Sequence, residues 1–133
     1  MNKMNALIIY YFGILFLLSS TVLAIAPSTD EIAQAIQSGS SRKLAEHFNN
    51  TIALKINNPS SDYSKNQAEL IFRDFFKKFP PKNFQILHQG ESSENLWYLI
   101  GNYLSEEADF KVLVKGKWEN GIVSIYSIEI SRE

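Results

Sequence analysis

The chain has no cysteine, 2 histidines and almost no charge imbalance, and each shortage closes off a class of chemistry. Without cysteine there is no disulfide, no thiolate nucleophile, no cysteine-ligated zinc or iron–sulfur cluster and no anchor point for a lipoprotein lipid. The histidines, His47 and His88, have no clustered ligands at zinc spacing, so neither a metal nor any other cofactor is expected. With 13 basic against 14 acidic side chains there is no basic excess to draw nucleic acid or an anionic lipid surface. The 6 glycines form no phosphate-cradling loop, and no repeat, low-complexity tract or long linker divides the sequence.

What is present begins with an export signal. Lys3 precedes an uninterrupted apolar run from Ala6 to Leu18, followed by Ser19, Ser20, Thr21 and small residues up to Ala26. A positive start, an apolar middle and a small-residue exit describe a secretory signal peptide. Cleavage after Ala24 fits better than after Ala26, because Pro27 would then stand just past the cut. The alternative is an uncleaved anchor, since Ala6 to Ala26 has the roughly 20 residues a bilayer requires, although Ser19, Ser20 and Thr21 weaken it. The expected organisation is a signal peptide at residues 1–24 and one domain at residues 25–133, with no membrane association after cleavage. Export without disulfides points to a bacterial periplasm or the extracellular space. Losing Lys3 leaves 12 basic against 14 acidic side chains, so the charge argument stands for the mature chain.

Three helices are legible in the first half. Ser28 with Glu31 has the spacing of a capping box, Ile32, Ala35 and Ile36 share a face, and Gly39 supplies a left-handed stop. Ser40 or Ser41 caps a second helix carrying Leu44, Ala45 and Phe48, closing at Asn49-Asn50, with His47 at its boundary. Residues 51–57 switch to period two through Ile52, Leu54 and Ile56, a short strand broken by the polar turn after it. Ser64 and Gln67 form a second capping box for a helix with Ala68, Ile71, Phe72, Phe75, Phe76 and Phe79 on a broad apolar face, stopped by Pro80-Pro81. Glu69 with Arg73 and Asp74 with Lys78 lie four apart, the spacing of a solvated, ion-paired face.

The second half reads as four strands, 83–89, 95–104, 108–118 and 122–130. Keeping like faces together fixes the pairing, because a one-residue slip moves every side chain to the other side. A two-residue Asn120-Gly121 turn would set Val112 opposite Glu129. A three-residue loop, Glu119-Asn120-Gly121, sets Val112 opposite Ile128, Val114 opposite Tyr126 and Phe110 opposite Ile130, and is preferred. The middle hairpin then pairs Tyr103 with Phe110, Gly101 with Val112, Leu99 with Val114 and Trp97 with Gly116. The first sets His88 opposite Trp97 and Ile86 opposite Leu99.

One face therefore carries Phe84, Ile86, Leu99, Tyr103, Phe110, Val112, Val114, Tyr126, Ile128 and Ile130, a core face able to receive the helices. It thins at one end into a row of His88, Trp97, Gly116 and Ser124, with a second gap at Gly101. A gap lined by aromatic groups and polar tips is how small-ligand pockets are built, so His88, Trp97, Ser124 and Tyr126 are the candidate ligand-binding residues. The opposite face carries Leu87, Leu96, Tyr98, Ile100, Leu113, Val123 and Ile125 among lysines. That is too apolar for a solvated sheet, and an isologous homodimer contact explains it, unless loops or the N-terminal helix cover it.

The order helix, helix, strand, long helix, antiparallel meander resembles the α+β cone of the nuclear transport factor 2-like (cystatin-like) superfamily, a curved sheet wrapped around a long helix. More narrowly, residues 31–36 (EIAQAI), 63–71 (YSKNQAELI) and 75–82 (FFKKFPPK) are similar to an uncharacterised family of secreted bacterial domains, domain of unknown function 4783. The resemblance spans about Asp30 to Ile130 and implies a small exported domain. It implies no activity, because the superfamily includes both enzymes and interaction modules.

Superfamily enzymes place an acid or base inside the cone, with a hydroxyl or protonated carboxyl to hold an oxyanion. In this register Asp109 and Glu129 point away from the core, leaving His88 as the one base, with Ser124 and Tyr126 as hydroxyl partners and no carboxylate to orient it. The expectation is therefore a non-enzymatic exported domain, with no catalytic residue assigned, that binds a small apolar ligand or a protein partner. A hydrolase or isomerase using His88 and a purely structural envelope module are the competing readings. If Trp97 and the helices fill the gaps at Gly101 and Gly116, the ligand-based readings lose their support and protein interaction remains.

Overall fold

Local signals place the helices, and long-range pairing decides where they stop. The computed structural model describes residues 29–57 and 59–133, so the signal peptide expected at residues 1–24 and the Ser28 side of the first capping box lie outside the described residues. Helix α1 spans Asp30–Gln37, α2 Ser41–Ala45 and α3 Lys65–Lys78. The strands are β1 Phe48–Ile56, β2 Ser61–Ser64, β3 Pro81–Ser93, β4 Leu96–Ser105, β5 Asp109–Glu119 and β6 Ile122–Arg132.

Thr29, not Ser28, holds the N-cap position of α1 and makes no side-chain cap bond; its hydroxyl donates instead to Gln89 Oε1 at 2.7 Å. Gly39 ends the helix with φ 65°, while Ser40 N–H donates to Ala35 O at 3.0 Å and Gly39 N–H to Ile36 O at 3.1 Å, satisfying carbonyls that the last turn would leave open. Ser40 Oγ then accepts from Lys43 N at 3.2 Å. The second helix stops at Ala45 rather than at Asn49-Asn50. Phe48 keeps helical spacing from Leu44, but the chain is taken by the sheet: Ile125 N–H donates to His47 O at 2.7 Å and Phe48 pairs with Ile125.

Helix α3 follows its signals closely. Ser64 Oγ accepts from Gln67 N at 3.3 Å and Gln67 Oε1 accepts from Ser64 N at 3.1 Å, the reciprocal capping box. Ala68, Phe72, Phe75 and Phe76 are buried on one side, Phe79 continues the stripe, and Pro80 follows. Glu69 and Arg73 pair at 3.9 Å on the outside.

The six strands form one sheet in the order β2-β1-β6-β5-β4-β3, with β1 and β6 parallel and every other neighbour antiparallel. Strand β2 is polar and four residues long, which hides it from a periodicity reading; it pairs Tyr63 with Ile52. The middle hairpin has the expected register, with Tyr103 opposite Phe110, Gly101 opposite Val112, Leu99 opposite Val114 and Trp97 opposite Gly116.

The two flanking hairpins differ from expectation, each because of a bulge. Between β5 and β6 the turn is the two-residue Asn120-Gly121, with φ 52° and 77° between Glu119 and Ile122, the left-handed pair of a type I′ hairpin. The register shifts between Lys115 and Gly116, so that Gly116 faces Ile125 while Lys115 faces Ser127. Tyr126 is the extra residue, and past it Val114 faces Ile128, Val112 faces Ile130 and Phe110 faces Arg132. A continuous ladder would have put Val112 opposite Glu129; the bulge removes that conflict without a longer loop. Ile125 is consequently fully buried and Val123 packs on the core, both on the side opposite to the one expected. Between β3 and β4 the strand runs on to Ser93, Ile86 faces Gly101, and after a register shift His88 faces Ile100 and Glu91 faces Trp97.

The helices and the inner sheet face share one core, built around Phe72, Phe75, Phe76, Phe79, Tyr103 and Phe110. Phe75 is its hub, with ring centroids 5.4 Å from Tyr103 and 5.2 Å from Phe110. Of the expected core face, Ile86 is instead 37% exposed and Tyr126 only half-buried.

Candidate functional site

The row expected at the thin end of the core face is not brought together. Trp97 points inward and is buried, and its ring lies directly over Gly116: a Cβ built there would be 2.1 Å from the indole Cζ2. The Phe84 ring fills the gap at Gly101 in the same way, 2.4 Å from an added Cβ. His88 lies past the β3 bulge on the outer face, exposed, where its Nε2 meets the Tyr98 hydroxyl. Ser124 pairs with Lys117, and Tyr126 sits at the β6 bulge. Neither hydroxyl is set beside His88, because the register that aligned them assumed unbroken ladders.

The space inside the cone is occupied by rings. The void enclosed by Phe72, Phe75, Phe76, Tyr103, Val112 and Ile128 measures about 10 Å³, at the lower limit of what holds one water. The one polar tip in this region, the Tyr103 hydroxyl, donates to the Phe79 carbonyl, and burial pushes its ionisation well above the ordinary tyrosine range. Two indole donors, Trp97 Nε1 and Trp118 Nε1, are buried with no protein acceptor. Among the described residues no group of histidine and carboxylate side chains is placed to hold a metal ion.

The outer face is different. Leu96, Tyr98, Ile100 and Leu113 lie side by side on β4 and β5, each partly buried and none in contact with the core cluster. Leu87, at the β3 bulge, is 51% exposed, and Ile122 at the start of β6 is 68% exposed. Both signs of charge surround them: Lys111 pairs with Glu133 at 3.3 Å, Lys117 with Glu119 at 3.1 Å, and Glu129 faces Leu113 across the ladder.

A second hollow was not legible in the sequence. Between β1, β2 and the C-terminal half of α3 lies an open cleft of about 460 Å³, with Leu54, Ile56, Tyr63, Ile71, Phe75 and Phe79 on its walls and Asp74 and Lys78 at its mouth. Its charged groups are the pair that spacing assigned to a solvated face, and Asn57 lines it as well. Without β2, nothing in the sequence brings Tyr63 opposite them.

The family model described as "Domain of unknown function (DUF4783)" matches residues 29–131. No curated protein matches the sequence. A DUF4783 family protein of Bacteroides ovatus is similar in structure, with TM-score 0.77 and 22% identity over 81% of this chain and 97% of that one. A nuclear transport factor 2-like protein of unknown function from Cytophaga hutchinsonii aligns with TM-score 0.57 and 11% identity, over 79% of this chain and 86% of that one. A de novo designed protein with a curved β-sheet aligns with TM-score 0.63 and 11% identity, over 76% and 92%. At these identities the likeness establishes the nuclear transport factor 2-like α+β fold and nothing about activity.

Proposed function

This chain belongs to the DUF4783 family, and from that premise we propose that it is an exported, non-enzymatic interaction module that associates with a second copy of itself through the outer face of its sheet. The observation that carries this reading is the contrast between the two sheet faces. Where superfamily enzymes would hold a substrate, this chain places phenylalanine rings and leaves about 10 Å³. On the other side it leaves Leu96, Tyr98, Ile100 and Leu113 only partly covered, beside the exposed Leu87 and Ile122.

The size of that face is suited to the role. Four strands about 4.8 Å apart and about ten residues long present a surface of about 19 by 33 Å, roughly 600 Å² in projection, against roughly 800 Å² of accessible surface per partner in a stable complex. Its mixed charge favours a copy of itself over a strongly charged partner, since a two-fold arrangement can oppose Lys115 to Glu129. In this reading His88 and Tyr98 are interface residues, and neither ligand capture by His88, Trp97, Ser124 and Tyr126 nor chemistry at His88 is required. Export rests on the character of residues 1–24.

Sedimentation equilibrium of the mature domain tests the association. The expected result is a dimer at about 0.1 mM, converted to monomer by Leu113→Lys with the far-ultraviolet circular dichroism unchanged. A wild-type monomer at that concentration contradicts the reading. Export is tested by N-terminal sequencing of protein from the host envelope: a start at Ile25 is expected, and retention of the apolar run argues for the anchor.

A further inference from the structure

We propose that the cleft between β1, β2 and α3 binds a small apolar zwitterion, a molecule of the class of a hydrophobic dipeptide with free termini. The cleft volume of about 460 Å³ falls within the range of small-molecule sites. It is the open counterpart of the filled interior, because the same Phe75 ring that closes the core forms part of the cleft wall. Leu54, Phe75 and Phe79 form buried wall surface, and Tyr63 and Ile71 are half-buried beside them. An apolar group entering there leaves water for aromatic and aliphatic surface.

The charges at the mouth select the ligand class. Asp74 and Lys78 are one helical turn apart on α3, a spacing that ordinarily lets the two side chains neutralise each other. Here the Lys78 ammonium lies 5.4 Å from the centroid of the Phe79 ring, and among the described residues no ion pair joins it to Asp74. Of the residues that line the cleft, one is negative and one positive, and they stand separately; the Arg132 guanidinium, 5.9 Å from the Phe79 ring centroid, is not part of the lining. A simple cation would gain at Asp74 and lose at Lys78, and a simple anion would meet the reverse. A zwitterion satisfies both, with its ammonium toward Asp74, its carboxylate toward Lys78 and its apolar side chains against Tyr63, Phe75 and Phe79.

One edge of the rim is tied to β6 through Asn57. Asn57 turns the chain out of β1 with φ 54°, donating its N–H to Ile130 O at 3.2 Å and accepting Arg132 N–H on Oδ1 at 3.0 Å. A residue held by two such bonds needs little ordering when a ligand arrives. The cleft faces away from the outer sheet face, so the proposal does not depend on self-association.

The test uses three peptides on the ¹⁵N-labelled mature domain: Leu-Phe with free termini, N-acetyl-Leu-Phe, which keeps only the carboxylate, and Leu-Phe-amide, which keeps only the ammonium. Leu-Phe should give saturable shifts at Tyr63, Asp74 and Lys78, and each capped peptide should bind roughly fivefold more weakly or worse. Asp74→Asn should weaken Leu-Phe by a similar factor while leaving N-acetyl-Leu-Phe no weaker than before, and Lys78→Gln should spare Leu-Phe-amide in the same way. Both substitutions are on the exposed side of α3, and the spectrum itself reports whether the fold is kept. No saturable shift at these residues with about 10 mM Leu-Phe, equal binding of all three peptides, or shifts mapping to the outer sheet face would each overturn the proposal.

Discussion

Replacing Gly116 by alanine should cost the domain several times more than the same change at Gly121, and the difference measures whether the apparent gap in the sheet is filled. At Gly116 an added Cβ would lie 2.1 and 2.3 Å from two carbons of the Trp97 ring and 2.5 Å from the Ser124 carbonyl oxygen. Carbon atoms settle at about 3.5 to 4.0 Å, so the ring would have to retreat by about 1.5 Å. Trp97 is only 2% exposed and has no open direction to take. The carbonyl cannot yield without loosening the β5–β6 ladder. The cost should therefore reach the upper part of the overpacking range, about 3 kcal/mol, or a fall in Tm of roughly 10 to 20 °C for a domain of this size. At Gly121 nothing lies within 4 Å, and the only penalty is that of a left-handed φ of 77°, about 1 kcal/mol. Urea and thermal unfolding followed by circular dichroism give both values. Trp97→Leu in the Gly116→Ala background should recover part of the loss, a non-additivity that identifies the ring as the obstacle. If Gly116→Ala lies within about 0.5 kcal/mol of the parent, outside the stated mechanism for a buried clash, the ring does not cover Gly116 and the expected ligand gap exists after all.

Two further outcomes follow from the local structure. Tyr103 ionises only with difficulty when folded, because burial disfavours the phenolate, whereas the unfolded chain releases that proton near pH 10. Its folded value being raised, the contribution is complete below the unfolded value and is lost as pH rises beyond it, so the urea midpoint of the parent should fall more steeply above about pH 10 than that of Tyr103→Phe; parallel slopes would count against the buried hydroxyl. Ser64→Ala removes one half of the α3 capping box and should lower stability by about 1 kcal/mol in urea, while an unchanged midpoint would mean that the reciprocal pair does not hold the helix start.

The parts of the fold that were legible in the sequence are those set by neighbours in the chain. The α3 capping box, the left-handed Gly39 and the phenylalanine stripe each declare themselves within a few residues, and the β4–β5 register follows from two unbroken alternations. The errors all lie where one extra residue, or a distant strand, decides. The bulge at Tyr126 moves Ile125 to the core and takes Ser124 away from the expected row; the β3 bulge moves His88 to the opposite face from Trp97. Bulges leave the alternation of apolar residues on each side intact, so a face-matching argument absorbs them into a wrong loop length. Phe48 kept helical spacing yet entered the sheet, because parallel pairing with β6 outweighed one more turn of α2. The cleft beside Asp74 and Lys78 was invisible for a related reason: β2 is too short and polar to carry a period, and Tyr63 reaches the cleft only through its pairing with Ile52.

The core of this cone is filled by aromatic rings, and its outer face is the surface proposed for self-association. An isotope-filtered nuclear Overhauser experiment on an equal mixture of labelled and unlabelled protein spanning residues 25–133 tests it most directly. Intermolecular contacts are expected from the side chains of Leu96, Tyr98, Ile100 and Leu113 and none from the Phe75 ring. Intermolecular contacts confined to other surfaces, or none from a sample at dimer-forming concentration, would contradict it.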